Sequence, residues 1–306
     1  MTLQRSGARN ERAVFVRGFD VRQVPLYVDG IPVYVPYDGY VDFDRFLTSG
    51  VQEVQVAKGF TSPLFGPNAL GGAVNIVSRQ PGSRLGIDGG QGFASGRMLD
   101  SWLNLGSRWR RGWLSAGFAR VSAGTFPLPA SFRATAAQPA GGRVNAASED
   151  LDLRLRAAWT PGQNAQYGFS WFRHFGGKQQ PPYAGADPAV RIRYWQWPTW
   201  DKESFYFSAS GHVRSGSNWN VRLFYDRFDN LLRSFDDGRY TTQTRPSSFN
   251  SLYDDDNWGG SAQYSRKAAR RHLFAGSLFY RDDVHREHNV GQPWRTFRDR
   301  ILSAGI

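Results

Sequence analysis

From about residue 84 to residue 306, the chain repeats segments in which apolar and polar residues alternate. In 151–159 the odd positions are apolar, whereas Asp152, Arg154 and Arg156 occupy even positions. A period of two places the apolar residues on one face of a β-strand and the polar residues on the other. Clear examples also lie at 166–171, 204–213 and 219–225, and weaker ones at 85–94, 99–109, 112–121, 257–265 and 272–284. We therefore predict about nine strands in residues 83–306.

The connections between these segments alternate in length. Short connections at 109–112, 160–163, 214–217 and 266–271 alternate with long ones at 123–149, 175–201 and 230–253. An antiparallel membrane barrel carries tight turns on one rim and long loops on the other, whereas a soluble β-sandwich has no reason to separate its loops. No apolar run reaches the roughly eighteen residues that a membrane helix needs. The pattern favours a membrane barrel over a sandwich, in which Leu153 and Phe207 would face each other in a shared interior.

The charge distribution bears on possible partners. Residues 1–82 contain 8 basic and 7 acidic residues, and the remaining 224 contain 30 basic and 19 acidic ones. Basic residues interleaved with aromatic residues suit nucleic acid, but here they alternate singly with apolar residues and form no continuous basic stripe. We therefore expect no nucleic-acid partner. The absence of cysteine fits oxidising and reducing compartments alike.

The first 82 residues follow a different pattern that is rich in turns. Segment 53–81 reads EVQVAKGFTSPLFGPNALGGAVNIVSRQP, and its glycines mark positions where the backbone needs a positive φ or a close approach. Upstream lie RGF at 17–19 and YVDGIP at 27–32, in which Asp29-Gly30 predicts a hairpin turn. The predicted strands are 13–16, 24–28, 54–56 and 73–77, with at most one helical turn in 44–47 and a boundary at 78–83.

Taken in this order, these segments resemble the plug domain of TonB-dependent outer-membrane receptors. The resemblance covers about the first quarter of the chain and implies an all-β membrane fold. A small mixed plug fragment (1–82) would precede an incomplete antiparallel transmembrane β-barrel (83–306). Such barrels close with about twenty-two strands, so the chain is expected to be truncated. The resemblance implies the cell outer membrane, although neither a signal peptide nor the family's energy-coupling box is recognisable.

The resemblance also implies which plug residues matter. The motif positions are Arg17, Gly18, Asp29, Gly30, Glu53, Lys58, Gly66, Gly71, Gly72 and Asn75. In the family, basic plug residues pair with carboxylates of the barrel wall, so Arg17, Lys58 and Glu53 are candidates for a latch. Lys58 stands where arginine is more usual, and Phe60 where proline is more usual. The alternative is that these charges only satisfy backbone carbonyls or water.

Two groups of aromatic residues are candidates for ligand binding. Tyr34, Tyr37 and Tyr40 are expected at the plug apex. The loop 175–201 adds Tyr183, Tyr194, Trp195, Trp197 and Trp200, with Arg191 and Arg193. Aromatic and basic residues together suit an anionic, aromatic iron chelate. For the tryptophans, the favoured interpretation is an interfacial girdle that faces lipid.

No combination of residues predicts catalysis, a metal site or a cofactor. His285 and His288 would supply only two ligands, so a solvated strand end is the favoured interpretation. Asp254, Asp255 and Asp256 alternate between strand faces and are expected at a solvated loop end. We therefore do not expect an enzyme.

Three functions stay open. The resemblance implies ligand-gated uptake of a ferric siderophore or another scarce nutrient such as vitamin B12. Its partners would be a TonB-type energy-coupling protein and outer-membrane lipid. The alternatives are a truncated, non-functional receptor remnant and a soluble all-β module that binds through exposed aromatic residues.

Overall fold

A computed structural model describes residues 2–6, 9, 11–33, 35–36, 39–59, 69–82, 84–213, 216–268 and 272–306. These residues form sixteen β-strands arranged in sheets of two, four and ten strands. Two 3-10 turns, Phe43–Arg45 and Thr48–Gly50, supply the helical structure that is described. No helix within these ranges is long and apolar enough to cross a membrane.

The first six strands make an N-terminal unit with a mixed sheet. The strands are β1 (Thr2–Ser6), β2 (Glu11–Phe15), β3 (Leu26–Val28), β4 (Ile31–Val33), β5 (Val51–Lys58) and β6 (Gly72–Ser78). The four-stranded sheet has the order β4-β3-β6-β5, in which β3 and β6 are parallel and the other pairs are antiparallel. Val16, Val24, Leu26 and Val74 belong to its buried apolar core. The predicted strands in this region are therefore present.

Two tight turns in the N-terminal unit depend on positive φ angles. Asp29 and Gly30 have φ values of 52° and 78° and join β3 to β4. Two consecutive positive φ values define the type I′ turn, whose twist matches that of the flanking strands. The predicted hairpin is thus confirmed. Arg17 and Gly18, at 54° and 85°, form a similar turn between Val16 and Phe19.

The remaining ten strands form one antiparallel sheet, here called the wall. They are β7 (Gly86–Ala94), β8 (Met98–Trp109), β9 (Gly112–Ala123), β10 (Ser148–Trp159), β11 (Ala165–Gln179), β12 (Trp195–Gly211), β13 (Ser217–Ser234), β14 (Phe249–Ala268), β15 (His272–Asn289) and β16 (Arg295–Gly305). Each strand pairs with its sequence neighbours, and β7 and β16 are the two edges. The predicted boundary at residue 82 lies between β6 and β7, and the division into two domains stays a prediction.

All nine predicted wall strands are present, and the tenth, β16, was missed. Its charged residues occupy both faces, with Arg298 and Arg300 on one and Asp299 on the other, so the sequence shows no clean alternation. Strands β11 to β14 are also longer than predicted, which shortens two of the long connections to 180–194 and 235–248. Together with 124–147 these loops define the long-loop rim of the wall. The opposite end, with turns such as 110–111 and 160–164, is the short-turn rim.

The two faces of the wall differ sharply. On the outer face, Leu155, Phe205, Tyr225 and Trp258 are exposed, and register places them in one row that crosses the sheet. On the inner face, Tyr206, Phe224 and Phe279 are buried and pack against Ile31 of β4. Phe207 is exposed on the outer surface, so it does not share an interior with Leu153. The sandwich alternative is therefore wrong, and the wall curves around the N-terminal unit with its apolar face outward.

Candidate functional site

The N-terminal unit is fastened to the wall by buried ion pairs near the long-loop rim. Nη1 of Arg45 lies 2.5 Å from Oδ1 of Asp150 on β10, and only 2% of the Arg45 side chain is exposed. Nζ of Lys178 on β11 lies 2.8 Å from Oδ2 of Asp42. The other oxygen of Asp42 accepts the backbone N–H of Arg12 at 3.0 Å. Because an unpaired buried charge is costly, these residues fix the position of the 3-10 turn Phe43–Arg45 against the wall.

A second contact is centred on the Asp29-Gly30 turn. Oδ2 of Asp29 accepts a hydrogen bond from Nη2 of Arg156 at 2.9 Å, and Oδ1 accepts the backbone N–H of Ser78 at 2.9 Å. The carbonyl of Asp29 accepts Nε of Arg222 at 3.2 Å. The Arg222 guanidinium lies so close to Gly30 that a Cβ there would be 2.7 Å from its Cζ. The turn therefore favours glycine for its positive φ angle, and a Cβ at this position would displace the Arg222 guanidinium.

A third contact joins Ser49 to the wall. Its hydroxyl accepts Nη2 of Arg154 at 2.9 Å, and its carbonyl accepts Nδ2 of Asn104 at 3.0 Å. Arg154 and Arg156 lie on the polar face of β10 that the alternation predicts. The sequence indicated that they point inward, but not which groups they meet.

Apart from the apolar cluster around Ile31, the two units do not pack closely between these contacts. A cavity of about 140 Å³ lies between them, lined by Val33, Val41 and Phe46 on one side and by His174 and Tyr206 on the other. Protein interiors normally contain few voids larger than a water molecule. The N-terminal unit is therefore held by discrete polar contacts more than by continuous packing.

The tryptophans of β12 face inward, which overturns the lipid-girdle interpretation. Trp197 is buried, and Trp200 packs against Phe228 and His174. A β-bulge between Gln196 and Thr199 resets the alternation of the strand, so these tryptophans share the inner face of the wall. A strict period of two would not place 197 and 200 on the same side.

Each of these rings has a cation beside it. Nζ of Lys178 lies 5.3 Å from the Trp197 ring centroid, and Cζ of Arg45 lies 5.6 Å from that of Trp200. Trp195 packs edge-on against Trp197, and the Arg193 guanidinium lies 4.5 Å from its ring centroid. These distances are within the range of cation–π attraction. We call Trp195, Trp197 and Trp200 with these cations the aromatic vestibule.

A cleft of about 740 Å³ opens beside the vestibule, between loops 180–194 and 235–248. Arg191, Arg193 and Arg245 line it, together with Tyr194 and Phe235. This arrangement presents basic and aromatic groups at the long-loop rim. Such a combination suits an anionic ligand with aromatic rings.

Asp236 organises the loop that carries Arg245. Its carboxylate accepts the backbone N–H groups of Thr244 and Arg245, at 2.8 and 2.9 Å, and the hydroxyls of Thr244 and Ser248. Burial opposes ionisation, but these hydrogen bonds outweigh it and hold the pKa of Asp236 below its ordinary value. The loop position of Arg245 is therefore set by the protein before any ligand binds.

Loops 124–147 and 180–194 are tied to each other by side chains. Nη2 of Arg143 donates to the carbonyl of Pro182 at 2.5 Å. Nδ2 of Asn145 donates to the carbonyls of Gln180 and Trp195. The rim is therefore a connected set of loops that frames the vestibule.

The three charged residues considered for the latch lie elsewhere. Glu53 and Lys58 are exposed on β5, and Arg17 is exposed with its guanidinium beside Gly59. Among the described residues, the ion pairs between residues 1–82 and the wall are made by Asp29, Asp42, Arg45 and Arg79. That Arg17, Glu53 and Lys58 act as a latch stays a prediction.

The remaining motif residues support the sheet of the N-terminal unit. Gly18 and Gly30 occupy the two turns described above. Gly71 donates its N–H to the carbonyl of Gln23 at 2.9 Å, and Gly72 has a φ of 142°. Asn75 accepts the Gly30 N–H at 2.9 Å and donates to Gln55. Gly66 lies outside the described residues.

Of the three candidate tyrosines, Tyr40 is described, and Tyr34 and Tyr37 lie outside the described residues. The Tyr40 hydroxyl donates to Asp20 at 3.1 Å, and the Arg22 guanidinium lies 5.1 Å from its ring centroid. Arg22 also lies 2.6 Å from Asp20. The side-chain hydrogen bond from Arg22 is the main cause that lowers the pKa of Asp20.

The histidine pair and the aspartate run differ from their expected settings. Asp255 is fully buried inside β14, where its Oδ1 lies 2.7 Å from Nδ1 of His285. It was expected at a solvated loop end, and that expectation is wrong because β14 begins eight residues before the predicted segment 257–265. His285 is therefore buried and does not lie at the expected solvated strand end, whereas His288 lies at the end of β15 and stacks on Trp294 with 4.0 Å between the ring centroids. Within the described part of the chain, no group of three or more metal-ligating side chains is present.

The charge on Asp42 makes a testable contribution to stability. Burial raises the pKa of Asp42. Lys178, the Arg12 backbone N–H and Arg45 lower it by more than burial raises it, so the folded-state pKa lies below the ordinary 3.8. A depressed carboxylate pKa stabilises the fold above the unfolded-state value, and this stabilisation is lost as the pH falls through the folded-state pKa.

We therefore expect the free energy of unfolding to decrease as the pH is lowered below about 4. Urea titrations between pH 7 and pH 2 on the full chain and on Asp42→Asn measure this. The variant is expected to be less stable at pH 7 and to show a smaller loss toward pH 2. An identical pH slope in both proteins would contradict the assignment to Asp42.

The fold and the site together define a class of protein. A curved antiparallel wall with an apolar outer face holds a small mixed unit by ion pairs, beneath a basic and aromatic vestibule. This is the architecture of a β-barrel wall that encloses a plug. Residues 1–73 match the TonB-dependent Receptor Plug Domain. The N-terminal unit is therefore a plug domain of the TonB-dependent receptor type.

Similar proteins share the plug sequence or the overall fold. The vitamin B12 transporter BtuB of Vibrio cholerae serotype O1 is 31% identical over 94 residues, which are 30% of this chain and 15% of that protein. The copper transporter OprC covers 99% of this chain with a TM-score of 0.77 at 15% identity, over 47% of its own length. The siderophore receptor PiuA of Acinetobacter baumannii covers 99% with a TM-score of 0.68 at 11% identity, over 48% of its length. The chain thus spans less than half of the length of each of these three proteins.

Proposed function

We propose that the chain is the plug and part of the barrel of an outer-membrane receptor for ligand-gated uptake of a ferric siderophore or a similar scarce nutrient. Similar proteins are named as transporters of vitamin B12 and copper and as a siderophore receptor. The proposed division is a plug over 1–82 and a barrel wall over 83–306. A TonB-type protein would supply the energy for uptake, and outer-membrane lipid would surround the wall. We propose no enzymatic activity.

The observation that carries this proposal is the aromatic vestibule above the plug. Arg45 is both a cation of the vestibule and a partner of Asp150 in the buried ion pair between plug and wall. A ligand that stacks on Trp200 would therefore act next to a contact that holds the plug. This continuity links ligand binding to plug position through one side chain.

The chemistry of the rim favours an anionic ligand with aromatic rings. Arg191, Arg193 and Arg245 supply positive charge, and the nearby rings supply stacking surfaces. Tyr34, Tyr37 and Tyr40 remain proposed ligand contacts at the plug apex. The Arg22 guanidinium adds a cation beside the Tyr40 ring.

Ligand binding by the purified full chain tests this proposal. A ferric tris(catecholate) complex is titrated into the protein in detergent while tryptophan quenching is followed, with cyanocobalamin as the comparison ligand. Two double variants, Arg191→Ala with Arg193→Ala and Tyr37→Ala with Tyr40→Ala, are each expected to weaken binding about tenfold, because they remove contacts with charged or aromatic groups.

The matched control is Arg110→Ala with Arg111→Ala, an exposed pair in a turn at the short-turn rim. It removes the same charge far from the vestibule and is expected to leave affinity unchanged. Equal binding by all three variants would contradict the vestibule proposal. Tight binding of cyanocobalamin alone would replace the siderophore by a corrinoid ligand.

A further inference from the structure

The outer face of the wall carries a sharp boundary between charged and apolar residues. Counted from the long-loop rim, the last charged outward residue before the apolar band is Arg120 on β9, Glu149 on β10, Arg173 on β11, Glu203 on β12, Arg227 on β13, Asp256 on β14, Asp282 on β15 and Arg300 on β16. Beyond it lie exposed apolar side chains such as Leu155, Phe205 and Leu223. The boundary is continuous across eight strands.

This boundary does not follow one hydrogen-bonded row. The boundary residues of β11 to β14 share one row, Arg120 and Glu149 lie one and two outward positions above that row, and Asp282 lies one below it. From β9 or β10 to β15 the boundary therefore drops by about 13–20 Å along the strands over roughly 24–29 Å across them. The resulting slope of roughly 30° is close to the strand tilt of about 35–45° in membrane barrels. The strands of a membrane barrel are tilted from the membrane normal. A line on the wall that departs from the hydrogen-bonded rows by the same angle therefore runs parallel to the membrane plane. It therefore marks the outer edge of the hydrocarbon layer, where lipid headgroups begin.

Most of the charged residues above this boundary balance each other. Arg173 faces Asp201 and Glu203, and Arg286 is shared by Asp254 and Asp256. Around Asp282 the balance is different. Arg298 and Arg300 both contact its carboxylate, so this cluster carries a net positive charge within the described wall.

The two arginines are held ready for an anion. Asp282 is 1% exposed although it points outward, because the arginines cover it, and their own side chains are 50% and 59% exposed. Arg298 donates Nε at 2.7 Å and Nη2 at 2.6 Å, and Arg300 donates Nε at 3.0 Å. Each guanidinium has five N–H donors. Most donors of the pair are therefore on the exposed side.

Apolar side chains lie directly beneath this cluster. Trp258 is opposite Asp282 across the β14–β15 pair, and its ring lies 5.3 Å from that of Tyr280. Leu302 is opposite Tyr280 on β16 and is exposed. A ligand with a phosphate at the arginines and an apolar chain would thus find an apolar surface in the right direction.

We propose that Arg298 and Arg300 bind the phosphate of an outer-leaflet lipid headgroup, with its acyl chains on Trp258, Tyr280 and Leu302. Guanidinium groups recognise phosphate by paired hydrogen bonds. The apolar surface favours a lipid phosphate over free phosphate. The inference rests on the proposed outer-membrane location and is independent of which nutrient is taken up.

Quenching by brominated lipid tests this site. The full chain in neutral detergent is titrated with phosphatidic acid that carries brominated acyl chains, and a Trp258→Phe variant identifies the signal of that ring. Arg298→Gln with Arg300→Gln is expected to weaken binding about tenfold or more, because it removes charge-assisted contacts. The control, Arg110→Gln with Arg111→Gln, is expected to bind like the unaltered chain.

Three comparisons keep the outcome clear. Brominated diacylglycerol, which lacks the phosphate, is expected to bind the unaltered chain as weakly as phosphatidic acid binds the double variant. Arg298→Lys with Arg300→Lys keeps the charge but loses the fork geometry, so an intermediate affinity is expected, with circular dichroism to verify folding. Equal binding by the Gln variant, or equal competition by inorganic phosphate, would overturn the proposal. Loss of nutrient binding with lipid binding retained would contradict only the proposed uptake function.

Discussion

Replacing Gly72 by alanine is expected to unfold the plug sheet at the β5–β6 pair. A Cβ at this position would lie 2.2 Å from the carbonyl oxygen of Ala57, and the residue has a φ of 142°. The clash is with backbone of the paired strand, so no side-chain rotation relieves it. Because steric overlap and backbone strain act together, we expect a loss of about 4 kcal/mol or more.

Trypsin cleavage after Lys58 measures this loss, because Lys58 pairs with Gly72 at the end of β5. The variant is expected to be cut rapidly under conditions in which the unaltered chain resists. Gly82→Ala is the matched control, since a Cβ there would meet no atom within 4 Å. Similar cleavage rates for both variants would show that the close approach at Gly72 is not needed.

Local sequence signals predicted the parts of the plug that depend on short-range chemistry. The Asp29-Gly30 dipeptide identified a type I′ turn, and Gly72 was recognised as a position of special backbone geometry. Both follow from φ angles that few residues adopt. The contacts that hold the plug in place were not predicted in the same way.

Those contacts join residues that are far apart in sequence. Arg45 and Asp150 are separated by 105 positions, and Asp29 and Arg156 by 127. Alternation along β10 indicates that Asp150 and Arg156 point inward, but the plug residue opposite each one depends on how the whole unit is docked. The family pattern directed attention to Arg17 and Lys58, which lie exposed, and away from Asp42 and Arg45.

Strand irregularities explain the other differences. The bulge between Gln196 and Thr199 turns Trp197 and Trp200 to the same inner face, which a regular alternation does not allow. Strands β13 and β14 continue beyond their apolar stretch, so Asp255 becomes an interior residue. In both cases the strand extends past the apolar band of the outer face, so both faces are polar there and the period of two loses its contrast.

Removing the Arg45 side chain is expected to release the plug from the wall. Arg45→Met leaves the carboxylate of Asp150 buried with its main cationic partner gone, and it removes the cation beside Trp200. Breaking one side of a buried ion pair typically costs about 3–5 kcal/mol. Hydrogen exchange of the β3 and β6 amides reports this loss, because those strands form the plug sheet.

Two further variants separate this pair from its surroundings. Arg22→Met removes an exposed arginine whose side chain is 53% exposed beside Asp20, and exposed pairs contribute no more than about 1 kcal/mol. Arg45→Met combined with Asp150→Leu replaces both charges by apolar groups and is expected to recover most of the lost stability. Slow exchange in Arg45→Met, equal to that in Arg22→Met, would contradict the role of Arg45. If the double variant restores stability but not ligand response, Arg45 couples the vestibule to the plug as well as anchoring it.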